Sequence, residues 1–434
     1  MNYEVRGASS VNAARISGSF EVPGDKSISH RALIFSSLAD GLSEIDGISK
    51  GADVISTMKC LSELHVKIET DRDGVIRVYG RGKYFSAAAD SVLDARNSGT
   101  TIRLLSGVLA GQKFESTITG DETLRKRPMQ RIIDPLSLMG ANIVPSYNMT
   151  APLKIFPSPK LHGIRYELPL PSAQVKSSVL LAGMFAEGET TVVEPVESRD
   201  HTERMLKLSK VRTSSGFETK ISCEYEIEPI EYDIAGDISS AAFFLAAAAI
   251  LPNSTVTAVG VTLNPTRAGF LDVLVMMGAK VEIQNIREAA GEPIGDVTVS
   301  HSDLNGVEIK GELIPRLIDE LPMIGVLAAF ANGETVVRDA HELRRKESDR
   351  IVAVVDNLGA MGAEVEELDD GFIVNGTGHL NGVEIDSYKD HRIAMAFAIA
   401  GLAAHGTTTI QNAEWAQISF PEFFQILETH VDRN

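Results

Sequence analysis

The sequence predicts an α/β fold made of one repeated unit, used six times and divided between two domains. Three observations lead there. The chain is 434 residues long, more than a single hydrophobic core serves. An apolar helical segment rich in small residues recurs six times at intervals of roughly 65 to 80 residues, room for about four strands and two helices at ordinary element lengths. Each copy opens with a short polar cluster and usually closes on a Gly or Asn turn that leads into a Thr/Val/Ile-rich strand.

In chain order the helical segments are ALIFSSLAD from Ala32, IRLLSGVLAG from Ile102, SSVLLAGMFAEG from Ser177, SSAAFFLAAAAIL from Ser239, LPMIGVLAAFANG from Leu321 and RIAMAFAIAGLAAHG from Arg392. A second helix supports the same period, because several copies end in a Leu-x-x-Met-Gly-Ala phrase before a strand: LSLMGANI from Leu136, LVMMGAKV from Leu274 and LGAMGAEV from Leu358. Weaker versions stand at LSELHVKI from Leu61 and LKLSKVRT from Leu206. Gly140, Gly278 and Gly362 fall where a left-handed residue ends a helix. The six copies divide into two halves of three, and the polar stretch EYDIAGDISS from Glu231 is the candidate crossing point.

With 41 basic and 59 acidic residues the formal charge is −18, which disfavours nucleic acid and anionic membrane surfaces as partners. Cys60 and Cys223 are not arranged as a disulfide framework or a zinc site, so no metal is expected. The first twenty residues lack the apolar core of a secretory signal, and AAFFLAAAAIL from Ala241 and MAFAIAGLAA from Met395 are shorter than the roughly 20 residues that span a bilayer. A cytoplasmic protein is expected.

The residues able to do chemistry stand just before each apolar helix or in its first turn. They are Lys26, Ser27 and Arg31; Asn97, Ser98, Gly99, Thr100 and Arg103; Ser172, Gln174 and Lys176; Asp237, Ser239 and Ser240; Asp319 and Glu320; and Asp390, His391 and Arg392. The first amides of a helix lack intrahelical partners and carry partial positive charge, which makes them a site for phosphate or carboxylate. Capping alone would account for Ser27, Ser172 and Ser239. It does not account for Lys26, Arg31, Arg103 and Arg392, whose positive charge opposes the dipole, and a bound anion does.

Two basic runs add to this: RKRPMQR from Arg125 and RRKESDR from Arg344. In the second, Lys346, Glu347 and Arg350 are spaced i, i+1, i+4, so a helix would put both cations on one face with a proton carrier beside them. Arg127, Arg350 and Arg392 suit planar or multiply charged anions, because a guanidinium offers two parallel donors. The sequence has no Walker loop, Gly-x-Ser-x-Gly elbow or His-Glu-x-x-His, which disfavours nucleotide kinases and common hydrolases.

The phrases PGDKSISHRAL from Pro23, NSGTTIRLLSG from Asn97, GDETLRKRPM from Gly120, LPSAQVKS from Leu170, ESRDHTERML from Glu197, IDELPM from Ile318, ELRRKESDRI from Glu342 and YKDHRIAMAFA from Tyr388 run through nearly the whole chain. Together they resemble the enolpyruvyl transferases, in particular the branch acting on shikimate 3-phosphate. The resemblance implies two similar domains, each of three βαβαββ repeats with helix N-termini facing an interdomain cleft. One domain would be residues 24–235, the other 1–23 with 236–434. It implies transfer of the enolpyruvyl group of phosphoenolpyruvate to the 5-hydroxyl of shikimate 3-phosphate, by addition and elimination through a tetrahedral intermediate, within aromatic amino acid biosynthesis. It also implies a monomer without a cofactor.

By the same resemblance, Ser27 and Arg31 hold the shikimate carboxylate. Ser172, Ala173 and Ser198 surround the phosphate, Gln174 lies beside both substrates, and Lys26, Lys346 and Asp319 also face shikimate 3-phosphate. Lys26, Gly99, Arg127, Arg350 and Arg392 hold phosphoenolpyruvate, Gly99 because a missing side chain admits a close ligand. Asp319 is the partner of the 5-hydroxyl, Glu347 the proton carrier for C3, and Lys26 a proton donor or charge stabiliser near the bridging oxygen. Ala173 stands where many relatives have Ser, so its contact must come from backbone. AQISFP from Ala416 lacks a Lys that some relatives carry there.

Two other functions compete. An enolpyruvyl transferase acting on UDP-N-acetylglucosamine would often place a Cys in the LRKRPMQ loop, and none is there. A noncatalytic clamp for phosphorylated acids would use the same cations, but Asp319 and Glu347 would weaken its hold on a polyanion.

Overall fold

The computed structural model describes residues 1–7, 14–86 and 92–432. The chain forms two compact units, one of residues 24–234 and 288–292, the other of residues 1–23, 235–287 and 293–434. Each has its own hydrophobic core.

In the unit of residues 24–234 the repeat is plainest in its middle copy. Strand Val92–Asp94 is followed by helix Gly99–Ala110, strand Ser116–Thr119, helix Gln130–Leu138 and strands Asn142–Ser146 and Thr150–Phe156. The first strand pairs parallel with Ser116–Thr119, and the remaining pairs are antiparallel. The next copy repeats this with Arg165–Glu167, helix Ala173–Gly183, Glu189–Glu194, helix His201–Met205, Lys210–Thr213 and Gly216–Ser222. The first copy, with helices Lys26–Leu38 and Ala52–Glu63, takes its leading strand from Glu231–Asp233, parallel to Asp40–Asp46.

The other unit repeats the pattern around helices Ile238–Ile250, Leu321–Phe330 and His391–Ala403. Its sheets order as 280–289, 292–300, 255–262, 15–20, 431–432; as 308–309, 333–337, 371–376, 364–368; and as 3–6, 407–410, 384–385. The leading strand of the first sheet is Arg15–Phe20, parallel to Thr255–Thr262.

The repeated helices are buried on nearly every face; Ile238–Ile250 and Leu321–Phe330 are almost wholly apolar, as such burial requires, while Lys26–Leu38 also buries Ser29, His30, Arg31, Ser36 and Ser37. Small residues let them approach closely: a β-carbon on Gly107 would stand 2.2 Å from the Ser178 carbonyl oxygen. The second helices end as their phrases imply. Gly140, Gly278 and Gly362 have φ of 93°, 90° and 91°, and the following amides reach back to Leu136, Leu274 and Leu358 at 3.0, 2.9 and 3.0 Å. His65 takes the same role at φ 62°. The phrase at Leu206 is a correction: the left-handed residue is Lys207, and Leu208 bonds the Glu203 carbonyl, three residues earlier than the phrase implied.

Candidate active site

In the unit of residues 24–234, the N-termini of three repeated helices are stitched together by side chains. Asp25, Ser98 and Ser172 cap them, accepting from the amides of Ile28, Thr101 and Val175. Ser27 is therefore not a cap; it lies in the first turn, and its carbonyl accepts from Arg31 Nη1 at 3.0 Å. Arg31 itself is the sixth residue of its helix rather than part of the first turn. Its Nε donates to Thr202 and its Nη2 to Ser177, both at 2.8 Å. None of these acceptors is a carboxylate, and burial lowers the guanidinium pKa to about 10 although Glu203 and Asp25 oppose the fall. Its direct hydrogen-bond acceptors are thus all uncharged oxygens, with the carboxylates acting from farther off.

Gly99 opens the second helix, and two guanidinium groups gather at it: a β-carbon there would lie 3.0 Å from Arg103 Nη1 and 3.2 Å from Arg127 Nη1. Arg103, in the second turn, donates to Gln174 Oε1 at 2.6 Å, and Gln174 Nε2 donates to Thr100 at 3.0 Å. Arg127 donates to Asn97 at 3.1 Å. Lys26, the first residue of its helix, lies 3.1 Å from Asp53. Beneath them, buried His30 meets Thr57 at 2.7 Å, Thr57 meets Thr101 at 2.7 Å, and Thr101 donates to the capping Ser98.

Ser172 caps its helix and Ala173 is the first residue within it, so the Ala173 amide has no partner in its own helix. Ser198 is buried and donates to Glu194. Lys176, grouped with the chemical residues on sequence grounds, is instead sealed in the interior between Glu194 at 2.6 Å and Glu203 at 2.7 Å. Burial alone would lower its pKa, but the two carboxylates outweigh it and hold the ammonium charged.

The other unit builds a second cluster. Arg350 is 1% exposed. Its Nε donates to Asp390 at 2.8 Å, its Nη2 to Glu347 at 2.7 Å, and its Nη1 to Asp319 at 3.3 Å. These carboxylates hold its pKa above the ordinary value against the opposing effect of burial. Lys346 also reaches Asp319, at 3.1 Å. The helical reading of this segment is corrected: 341–345 is a short 3-10 turn, 346–349 is irregular, and the helix starts at Arg350 under an Asp349 cap. The three side chains meet through a loop.

Asp390 caps helix His391–Ala403, and Arg392 Nη1 donates to the Ser239 carbonyl at 3.3 Å. Asp237, not Ser239, caps helix Ile238–Ile250. Ser239 instead belongs to a buried knot with Glu320 and Arg267, the latter bonding Asp237 and Glu320 at 2.9 Å each. Sequence reasoning missed Arg267, Asp53, Glu194 and Glu203, because nothing in their neighbourhoods announces a partner far along the chain. The AQISFP stretch enters a 3-10 turn, Ala413–Ile418, and supplies no cation. Among the described residues no group of acidic, His or Cys side chains suits a metal ion, and no helix is long and apolar enough to cross a membrane.

Each cluster joins helix-terminal amides to buried cations, and the second adds carboxylates able to carry protons. The chain matches the family model described as EPSP synthase (3-phosphoshikimate 1-carboxyvinyltransferase) over residues 11–427. It is 48% identical to the 3-phosphoshikimate 1-carboxyvinyltransferase of Thermoanaerobacter sp. (strain X514) over 95% of this chain and 97% of that protein. It is 47% identical to the enzyme of the same name from Geobacter sulfurreducens, over 97% and 98%. A 2.37 Å structure of EPSP synthase from Acinetobacter baumannii superposes with a TM-score of 0.87 at 40% identity, covering 100% of this chain and 99% of that one.

Proposed function

The chain belongs to the EPSP synthase (3-phosphoshikimate 1-carboxyvinyltransferase) family, and from that premise we infer how its two clusters divide the work. The protein transfers the enolpyruvyl group of phosphoenolpyruvate to the 5-hydroxyl of shikimate 3-phosphate and releases phosphate. It acts in the shikimate pathway of aromatic amino acid biosynthesis.

In our reading, Ser27 and Arg31 take the shikimate carboxylate. Ser172, the Ala173 amide and Ser198 take its phosphate, with Gln174 alongside. Lys26, the Gly99 amide, Arg127, Arg350 and Arg392 are assigned to phosphoenolpyruvate. Asp319 accepts the proton of the attacking 5-hydroxyl, with Lys346 beside it. Glu347 delivers a proton to C3 and takes one back in the elimination, and Lys26 steadies charge at the bridging oxygen. Phosphate leaves as the C3 proton is lost.

The observation that carries this reading is Arg350, a buried guanidinium joined to both Asp319 and Glu347. One anion-binding group thus fixes the two carboxylates that addition and elimination require. The acidic balance of the chain further supports a protein without nucleic-acid partners, and we read it as a cytoplasmic monomer. The test is phosphate release from phosphoenolpyruvate with each acceptor. Release that requires shikimate 3-phosphate is expected, and release with UDP-N-acetylglucosamine instead would overturn the assignment.

A further inference from the structure

We propose that Glu194 is a positioning residue that takes up a proton from solvent when the phosphate of shikimate 3-phosphate binds, and that this protonation turns the Ser198 hydroxyl into a donor toward that phosphate. The proposal rests on the reading of Ser198 as a phosphate ligand.

The two serines assigned to the phosphate are not equivalent. Ser172 Oγ accepts from the Val175 amide at 3.4 Å, a bond that leaves its hydroxyl hydrogen available to an anion. The Ser198 hydroxyl hydrogen is committed to Glu194 Oε1, which also accepts from the Ser198 amide at 3.2 Å. With Glu194 ionised, Ser198 turns oxygen lone pairs toward a phosphate dianion, which has only acceptors to offer.

Behind Ser198 the charges are closed off from water. Glu194 Oε2 accepts from Lys176 at 2.6 Å, and Lys176 also faces Glu203 at 2.7 Å. The side-chain exposures are 0% for Lys176, 1% for Glu194 and 3% for Glu203. Glu194 and Glu203 share this one ammonium, and Glu203 also feels the buried guanidinium of Arg31, with Arg199 near it, so Glu194 depends on Lys176 alone for its ion pair. On the flanking strands Phe217 lies opposite Glu194, with Lys210 and Arg212 each 5.7 Å from its ring centre, and Leu168 bonds the neighbouring Val193 carbonyl. On the same loop, Glu197 and Asp200 are paired with Lys210. Burial and Glu203 already push the Glu194 carboxyl upward, against the pull of Lys176.

A dianion arriving at Ser198 has two ways to gain its hydrogen bond. If the hydroxyl merely rotates, Glu194 Oε1 loses a donor while more negative charge arrives, a costly arrangement in a buried site. If Glu194 is protonated, one O–H bond forms at Oε1, this hydrogen is donated to Ser198 Oγ, and the serine hydrogen swings to the phosphate. No donor is lost, and the carboxylate charge directly behind Ser198 is neutralised as the ligand enters.

The experiment is calorimetric titration of shikimate 3-phosphate in buffers of different ionisation enthalpy near neutral pH, with wild type, Glu194→Gln and Ser198→Ala. Wild type is expected to take up about one proton more than Glu194→Gln, whose amide already donates to Ser198. Shikimate, which lacks the phosphate, should bind without that uptake. Infrared difference spectra of wild type should show a carboxylic acid carbonyl band appearing with shikimate 3-phosphate, a readout that does not depend on any variant folding. Equal uptake in wild type and Glu194→Gln, or no such band, overturns the proposal. Ser198→Ala separates the two layers: weakened binding of shikimate 3-phosphate supports the ligand reading whatever the proton count, and undiminished binding overturns that reading and the proposal with it.

Discussion

Arg350 Nε donates to Asp390 Oδ2 at 2.8 Å, and Asp390 uses its other oxygen to cap the helix that carries Arg392. One buried carboxylate therefore positions two of the arginines assigned to phosphoenolpyruvate. Asp390→Ala would take the Nε partner from Arg350, which is 1% exposed, and remove a helix cap, leaving Glu347 and Asp319 beside the guanidinium, and should cost about 2–4 kcal/mol in urea unfolding. Asp390→Asn keeps a capping oxygen and should cost less stability, while still raising KM for phosphoenolpyruvate.

Gly99 separates binding from stability. It is the first residue of its helix and its φ is not positive, so alanine is allowed there and is favoured by up to about 1 kcal/mol in helix propensity. Its β-carbon would nevertheless press on Arg103 and Arg127 at 3.0 and 3.2 Å. Gly99→Ala should raise KM for phosphoenolpyruvate several-fold, with the melting temperature unchanged or slightly higher. Steady-state kinetics and a thermal melt on the same preparation check both halves.

Asp319→Asn and Glu347→Gln should each lower kcat by about 10²–10⁴-fold, the range of a lost general acid or base. Arg350 keeps its Asp390 contact in both variants, so the fold should persist. Substrate affinity, read by equilibrium binding, should change far less than kcat. A kcat within a few-fold of wild type would remove the residue from the proton-transfer scheme.

His30 should make stability sensitive to acid. Burial, aided by Lys26 and Arg31, lowers its pKa well below 6.5, so the folded chain holds it neutral while the unfolded chain protonates it below 6.5. The unfolded state then binds more protons, and stability falls as pH drops through 6.5 toward the folded-state value, by up to about 1.4 kcal/mol per pH unit. Urea midpoints between pH 7.5 and 5.5 should show this slope for wild type and a shallower one for His30→Gln.

Local signals in the sequence are legible where a few neighbouring residues decide the outcome. Gly140, Gly278 and Gly362 end their helices because the next amide finds a carbonyl five residues back. Elsewhere two short-range rules compete for the same amides. Ser27 and Ser239 looked like caps, but Asp25 and Asp237 were in reach and took the role. Lys346 to Arg350 looked helical by spacing, yet the Asp349 cap starts the helix only at Arg350.

By itself the sequence determined the sixfold repeat, the apolar helices and the polar residues at their starts, because periodicity and capping are set within a turn or two of chain. Tertiary structure decided which charges meet. Arg31 finds Thr202 across 171 positions, Arg267 finds Glu320 across 53, and Lys176 is withdrawn between Glu194 and Glu203. Such pairings depend on which surfaces are sealed from water and brought within about 3 Å, and only the packed chain sets that distance.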